Sequence, residues 1–308
     1  MTAFTAIARN RFRRGANSAL GAMEQALWRS NAEPGSPPVL LLGAPRCGST
    51  LLYQLMVACF DVSYLSNLHC SMFGCPALAE RMARGRRAPA SFESRLGGTE
   101  ERLAPSECGP FWYRFFRRSP QYVALEDAPP EQLRRLRASV AAFQRAAGRP
   151  VVFKNLLCSL RVAPIGAALP GAIFVLLHRD LLDHAHSLLE ARKLVHGSYE
   201  RWWSAEPPGY EGLLELPPEE QVIQQVQRVE AAIDAHRAAV GPERFLDLRY
   251  EDLCLDPQAA LGTIAAFAGA RGCALRQAAD PPAEFSRRAG VRIEPELYGR
   301  LQRAAAAA

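Results

Sequence analysis

The sequence predicts an α/β fold: a central parallel sheet of about five strands, flanked by helices in three layers. Three observations lead there. An apolar run, Val39 to Leu42, stops at Gly43 and gives way to Gly48-Ser49-Thr50 and the helix-like stretch LLYQLM. Further short apolar runs alternate with stretches of helical periodicity, the pattern of βαβ units. Two of these runs end on cations, Lys154 and Arg179, at the carboxyl ends of strands, where open parallel sheets bind their ligands.

Taken in order, residues 1–36 form a basic helical extension. Phe4, Ile7, Phe12, Leu20, Met23 and Leu27 recur at loosely helical spacing beside Arg9, Arg11, Arg13 and Arg14. Such a helix suits either an anionic membrane surface, giving a peripheral membrane contact, or packing on its own domain. Glu33 to Pro38 breaks it and delivers the chain to the first strand. A second short strand is expected at Val62 to Leu65. Residues 84–110 read as loop and lead into the block Phe111-Trp112-Tyr113-Arg114-Phe115-Phe116, either a pocket wall or a helix burying its aromatic face. Leu133, Leu136, Val140 and Phe143 predict a helix from Pro130 through Ala147. Val151 to Lys154 and Ala172 to Leu177 are the next strands, and a last one runs from Phe245 into Tyr250-Glu251-Asp252-Leu253.

With 308 residues, 49% of them hydrophobic and 22% charged, the chain is long enough for one large α/β domain, assigned to 37–308. The formal charge of +6 favours anionic ligands, but Lys and Arg are spread along the chain. No aromatic-basic interleaving or zinc-finger spacing is present, so nucleic acid is not implied. The eight Cys include no C-x-x-C pair, no secretory signal opens the chain and no apolar run reaches bilayer length; reduced thiols in a cytoplasm are expected. The Ala-, Arg- and Pro-rich composition suggests a bacterial source with a GC-rich genome.

The stretch Val39 to Leu52, VLLLGAPRCGSTLL, has the spacing of a phosphate-binding loop, Gly-x-x-x-x-Gly-Lys-Ser/Thr, with Ser49 where the lysine would stand. The missing lysine weakens an ATP reading. A helix start offers unpaired backbone N–H groups and partial positive charge, so an anion is expected there. Cys47, at that helix start, reads as a small residue in the loop rather than a reactive thiol. His178-Arg179-Asp180 looks like the opening of a kinase catalytic loop, but Ala185 stands where Asn is needed. His184 and His186, two apart on a helix, point to different sides and read as packing residues, not metal ligands.

Pro45-Arg46-Cys47-Gly48-Ser49-Thr50 resembles the phosphosulfate loop of the sulfotransferase family, with Cys47 replacing the usual Ser or Thr. Arg179 followed eight residues later by Ser187, Lys154 at a strand end, and Tyr250-Glu251-Asp252-Leu253 before Asp256-Pro257 repeat the family's motifs in order, over residues 39 to about 270. The resemblance, nearest the carbohydrate and tyrosylprotein branch, implies a P-loop-like fold and a transferase using 3′-phosphoadenosine 5′-phosphosulfate as sulfuryl donor, with no metal. It places Arg46, Cys47, Gly48, Ser49 and Thr50 on the 5′-phosphosulfate, Arg179 and Ser187 on the 3′-phosphate, Tyr250 near the nucleotide, and Lys154 beside the transferring group. The cytosolic family's base histidine is absent, because Asn155-Leu156 follows Lys154. Ser66-Asn67 stands where tyrosylprotein members carry a glutamate. The candidate bases are Glu107, in the segment just before the aromatic block, and His69, near the second strand end. The acceptor, a small molecule, carbohydrate or lipid, is not readable; Trp112, Trp202 and Trp203 would stack on it or lie in the core.

Overall fold

The computed structural model of the chain describes residues 3–26, 28, 33–83, 85–94, 96–287 and 290–308, with side chains from residue 15 onward. Leu27, and the side chains of Phe4, Ile7, Arg9, Arg11, Phe12, Arg13 and Arg14, therefore lie outside the described residues.

Five strands, β1 (Val39–Leu42), β2 (Ser63–Tyr64), β3 (Val151–Lys154), β4 (Ile173–His178) and β5 (Phe245–Arg249), form one sheet in the order β2-β3-β1-β4-β5. Every pairing is parallel. The first strand is thus central, with β3 on one side and β4 on the other. Both its faces are buried, and its side chains alternate between them. Leu40 and Leu42 join one core cluster with Phe153, Phe174 and the helices Pro130–Ala147, Leu181–His196 and Pro218–Val240. Val39 and Leu41 join another with Val152, Val175 and the helices Ser49–Cys59 and Pro257–Gly269.

Local chemistry sets the helix ends. Helix Pro130–Ala147 has proline and Glu131 in its first turn and ends at Gly148, which takes φ 67° in the left-handed region. Helix Leu181–His196 starts where the Asp180 side chain accepts from the Asp183 N–H and stops at Gly197, φ 70°. The N-terminal helix Ala3–Ala26 is held to the domain by Asn17, which accepts from Gly74 N at 2.7 Å and donates to the Ser71 carbonyl at 3.0 Å. Gly74 is required at that crossing, because a Cβ there would strike the Asn17 main chain.

The aromatic block packs in the interior. Phe111, Trp112, Phe115 and Phe116 are buried, Phe111 stacks on Phe153 with centroids 6.2 Å apart, and Trp112 meets the same ring edge-on at 5.5 Å. These four side chains support β3, so for them packing is the reading observed.

Candidate functional site

A cavity of about 680 Å³ opens at the carboxyl ends of β1, β3, β4 and β5. The loop after β1 leads straight into helix Ser49–Cys59, whose N-cap is Gly48 with φ 100°. No side chain caps this helix, so its first N–H groups, which helical geometry leaves without an intrahelical acceptor, are available at the cavity wall. Gly48 cannot carry a Cβ, which would collide with the Tyr250 ring.

Arg46 takes φ 75°, the left-handed region that a residue with a side chain enters at a cost of about 1 kcal/mol or more. Three contacts from one neighbouring unit hold it there. Arg179 Nη1 donates to the Arg46 carbonyl at 3.0 Å, Arg46 Nε donates to Ser187 Oγ at 3.1 Å, and His184 Nε2 donates to the Pro45 carbonyl at 2.7 Å. Burial pushes the His184 pKa down to about 4, so at neutral pH the ring is uncharged and its Nε2 proton is the donor. The Arg179 guanidinium lies over the Tyr250 ring at 4.8 Å.

At the other side of the loop, Lys154 ends β3 almost fully buried. Its Nζ donates to Thr50 Oγ1 at 3.1 Å and forms an ion pair with Glu107 Oε1. Glu107 Oε2 accepts from Leu156 N at 3.2 Å, and Asn155 Nδ2 donates to the Glu107 carbonyl at 3.0 Å, so the carboxylate is fixed at both ends. Gly97, φ 86°, brings its backbone over this group; a Cβ there would lie 3.4 Å from Glu107 Oε1, 3.5 Å from Thr50 Oγ1 and 3.8 Å from Lys154 Nζ.

The cavity therefore gathers Arg46, Gly48, Ser49, Thr50, Glu107, Lys154, Arg179, Ser187 and Tyr250, all expected from the sequence. Two predicted residues are placed elsewhere. Cys47 is wholly buried in the core under the loop, where its sulfur packs against Gly43 and burial raises its thiol pKa; its N–H donates to the Ala44 carbonyl at 3.1 Å. It shapes the loop, and its main-chain N–H is already taken. His69 is also buried outside the cavity: Nδ1 accepts from Ser66 N at 3.1 Å, and Nε2 lies 3.1 Å from Glu80 Oε2. Both ring nitrogens are engaged in holding the chain after β2, so the base candidacy of His69 is corrected to a structural role.

Other residues of the site escaped sequence reasoning. His184 lies three residues before Ser187, hence on the same helix face, and that spacing was a readable signal. Ser159 accepts from Gly43 N at 3.1 Å and donates to the Gly43 carbonyl at 2.9 Å, clamping the loop's first residue; no local pattern marks it. Phe285 closes the cavity against Phe92, ring centroids 5.1 Å apart, and Arg292 pairs with Glu190 at 3.0 Å. Of the three tryptophans weighed as acceptor contacts, Trp203 lines the cavity, Trp112 is core, and Trp202 packs with Arg192 and Tyr210.

A helix start, the cations Arg46, Lys154, Arg179 and Arg292, and hydroxyls including Thr50 and Ser187 in one cavity suit a ligand with more than one anionic group. Among the described residues there is no cluster of three His, Cys, Asp or Glu able to hold a metal, and no helix long and apolar enough to cross a membrane. All eight cysteines are free thiols.

Residues 37–271 match the model of the Sulfotransferase family. The omega-hydroxy-beta-dihydromenaquinone-9 sulfotransferases Stf3 of Mycobacterium tuberculosis and Mycobacterium bovis are each 26% identical over 276 residues, covering 80% of this chain. The chain spans 66% of their length, just under two thirds. Among solved structures, sulfotransferase STF1 from Mycobacterium tuberculosis H37Rv superposes with a TM-score of 0.55 at 17% identity, over 87% of this chain and 78% of that one. Sulfotransferase STF9 from Mycobacterium avium gives 0.50 at 17% identity, over 89% and 69%. At these identities the structural likeness shows the fold.

Proposed function

Because the chain belongs to the sulfotransferase family, we propose that it moves the sulfuryl group of 3′-phosphoadenosine 5′-phosphosulfate to a hydroxyl or amine of an acceptor. The observation that carries this reading is the convergence of Arg46, Lys154 and Arg179 on one cavity at the start of helix Ser49–Cys59. An ATP-dependent reaction would leave the Arg179 and Ser187 end unused, and Ser49 occupies the place of the lysine such enzymes need.

The roles follow from placement. The N–H groups of Gly48, Ser49 and Thr50 take the 5′-phosphosulfate, with Arg46 at its edge. Arg179 and Ser187 take the 3′-phosphate, and Tyr250 meets the nucleotide. Transfer is an in-line displacement: the acceptor oxygen forms a bond to sulfur while the bond from sulfur to the bridging phosphate oxygen breaks, and adenosine 3′,5′-bisphosphate leaves. Lys154 neutralises the charge growing on that oxygen, and Glu107 takes the acceptor proton. Thr50 and Glu107 hold the Lys154 ammonium at the loop before any ligand arrives, which is the preorganisation that electrostatic catalysis requires.

The cavity lining also includes the apolar side chains Leu96, Leu156, Leu194 and Trp203. Together with the menaquinone-derived substrate in the names of the mycobacterial relatives, this favours a hydroxyl carried on an apolar or lipid-like molecule.

The test is calorimetric titration with adenosine 3′,5′-bisphosphate beside ATP and 5′-AMP, repeated with Arg179→Ala. Selective binding of the bisphosphate, lost in the variant, is expected. Preference for ATP, or binding of none of the three, would overturn the reading.

A further inference from the structure

A second cavity, of about 450 Å³, lies between the N-terminal helix and the domain and shares no lining residue with the first. Its walls include Asn17, Ser18 and Gln25 of the helix on one side and Tyr113, Arg114, Arg118 and Arg135 on the other. These three arginines line one cavity together. Arg87, Arg117, Arg137, Arg149, Arg237, Arg276, Arg292 and Arg300 all pair with carboxylates. Arg114, Arg118 and Arg135 have no carboxylate within 4.0 Å among the described residues.

Arg114 forms the floor. Its guanidinium contacts the Phe115 ring at 5.1 Å, Nη1 donates to the Phe73 carbonyl at 3.0 Å, and Nη2 is buried without a hydrogen-bond partner. The nearest acidic group acting on it, Glu24, spends Oε2 on the Leu78 N–H at 3.0 Å. Arg118 lies over the Tyr113 ring at 4.5 Å at the mouth, and Arg135 comes from helix Pro130–Ala147. Glu24 attracts this guanidinium and Arg135 repels it, but the buried Nη2 has no acceptor, which is costly unless a further acceptor reaches it. The polar walls and the volume exceed what a bare ion needs.

We propose that this cavity binds a phosphate ester, with Arg118 and Arg135 gripping the phosphate over the buried charge of Arg114 and the polar side chains of the N-terminal helix meeting the esterified alcohol. The chemistry is the same for a soluble phosphomonoester and for a phospholipid headgroup, and the site stands apart from the transfer reaction.

The experiment has two arms. In the first, sn-glycerol 3-phosphate is titrated calorimetrically into the protein saturated with adenosine 3′,5′-bisphosphate, and again into Arg179→Ala without it, so that the outcome does not depend on the transfer site. In the second, the protein is cosedimented with phosphatidylglycerol vesicles beside phosphatidylcholine vesicles. Each arm is repeated with Arg118→Gln/Arg135→Gln, chosen because neither side chain makes a hydrogen bond in the fold, and with the corresponding double lysine variant. Loss of two charge-assisted contacts should weaken binding by about a hundredfold, and the lysine variant should recover part of it. Glycerol phosphate binding that the glutamine variant loses identifies a soluble ligand. Binding only to phosphatidylglycerol vesicles, lost in the same variant, identifies a headgroup. Binding in neither arm, or binding the glutamine variant retains, overturns the proposal.

Discussion

Arg179 donates through Nη1 to the main-chain carbonyl of Arg46, 3.0 Å away, so the cation at the end of β4 and the loop after β1 form one unit. The same guanidinium is proposed to grip the donor's 3′-phosphate, and its planar fork allows both contacts at once. Arg179→Lys keeps the charge and loses the fork. We expect adenosine 3′,5′-bisphosphate to bind about ten- to a hundredfold more weakly, by calorimetry. Unchanged affinity would show that the charge alone suffices.

Gly48 and Tyr250 are fitted to one another. Gly48→Ala adds a methyl that meets the Tyr250 ring and forces a side chain to φ 100°, so stability should fall by about 1–3 kcal/mol in chemical denaturation. Adding Tyr250→Ala should recover the steric share but not the backbone share. A double variant no better than the single one would place the whole cost in the backbone.

Glu107→Gln should lower kcat by about a hundredfold or more while leaving bisphosphate affinity within a few-fold, because the side chain faces Lys154 and Thr50 rather than the Arg179 end. Single-turnover kinetics together with titration separate the two. Near-normal turnover would remove Glu107 from the base role.

His178 bridges β4 to Glu230 at 3.3 Å and to Asp247 at 2.9 Å, and these carboxylates raise its pKa from 6.5 to about 9. A base whose pKa is raised on folding contributes stability that is full below about 6.5 and is lost as pH climbs through about 9. Asp247, held down to about 2 first by Arg237 and then by His178, contributes above 3.8 and loses its share as pH falls towards 2. Thermal stability should therefore fall between pH 7 and 10, and His178→Gln should flatten that decline. An unchanged alkaline slope in the variant would refute the assignment.

His184 runs the other way. With its pKa lowered from 6.5 to about 4 by burial, the folded state binds fewer protons than the unfolded state in that interval. Stability should fall as pH drops from 6.5 towards 4, and bisphosphate affinity should fall in His184→Ala because the Pro45 carbonyl loses its donor. His184→Gln, which restores a donor, should recover part of the affinity and remove the acid slope.

Much of this protein is written locally. A buried parallel strand must be apolar on both faces, a helix that opens on an anion needs glycine and small residues before it, and a helix ends where glycine allows a left-handed turn. Val39 to Leu52, Pro130 to Gly148 and the cations closing β3 and β4 were legible for those reasons, and with them the fold and most of the cavity wall. Other features depend on which distant segment arrives, and only the tertiary structure decided them. Lys154 met Glu107 across 47 positions and Thr50 across 104. Phe285 reached Phe92 over the cavity, and His69 found Glu80 instead of the site. Local pattern reports the backbone a residue prefers and the face it buries. The partner of a polar side chain is set by chain crossings hundreds of atoms away, and a single sequence carries no short-range signal of them.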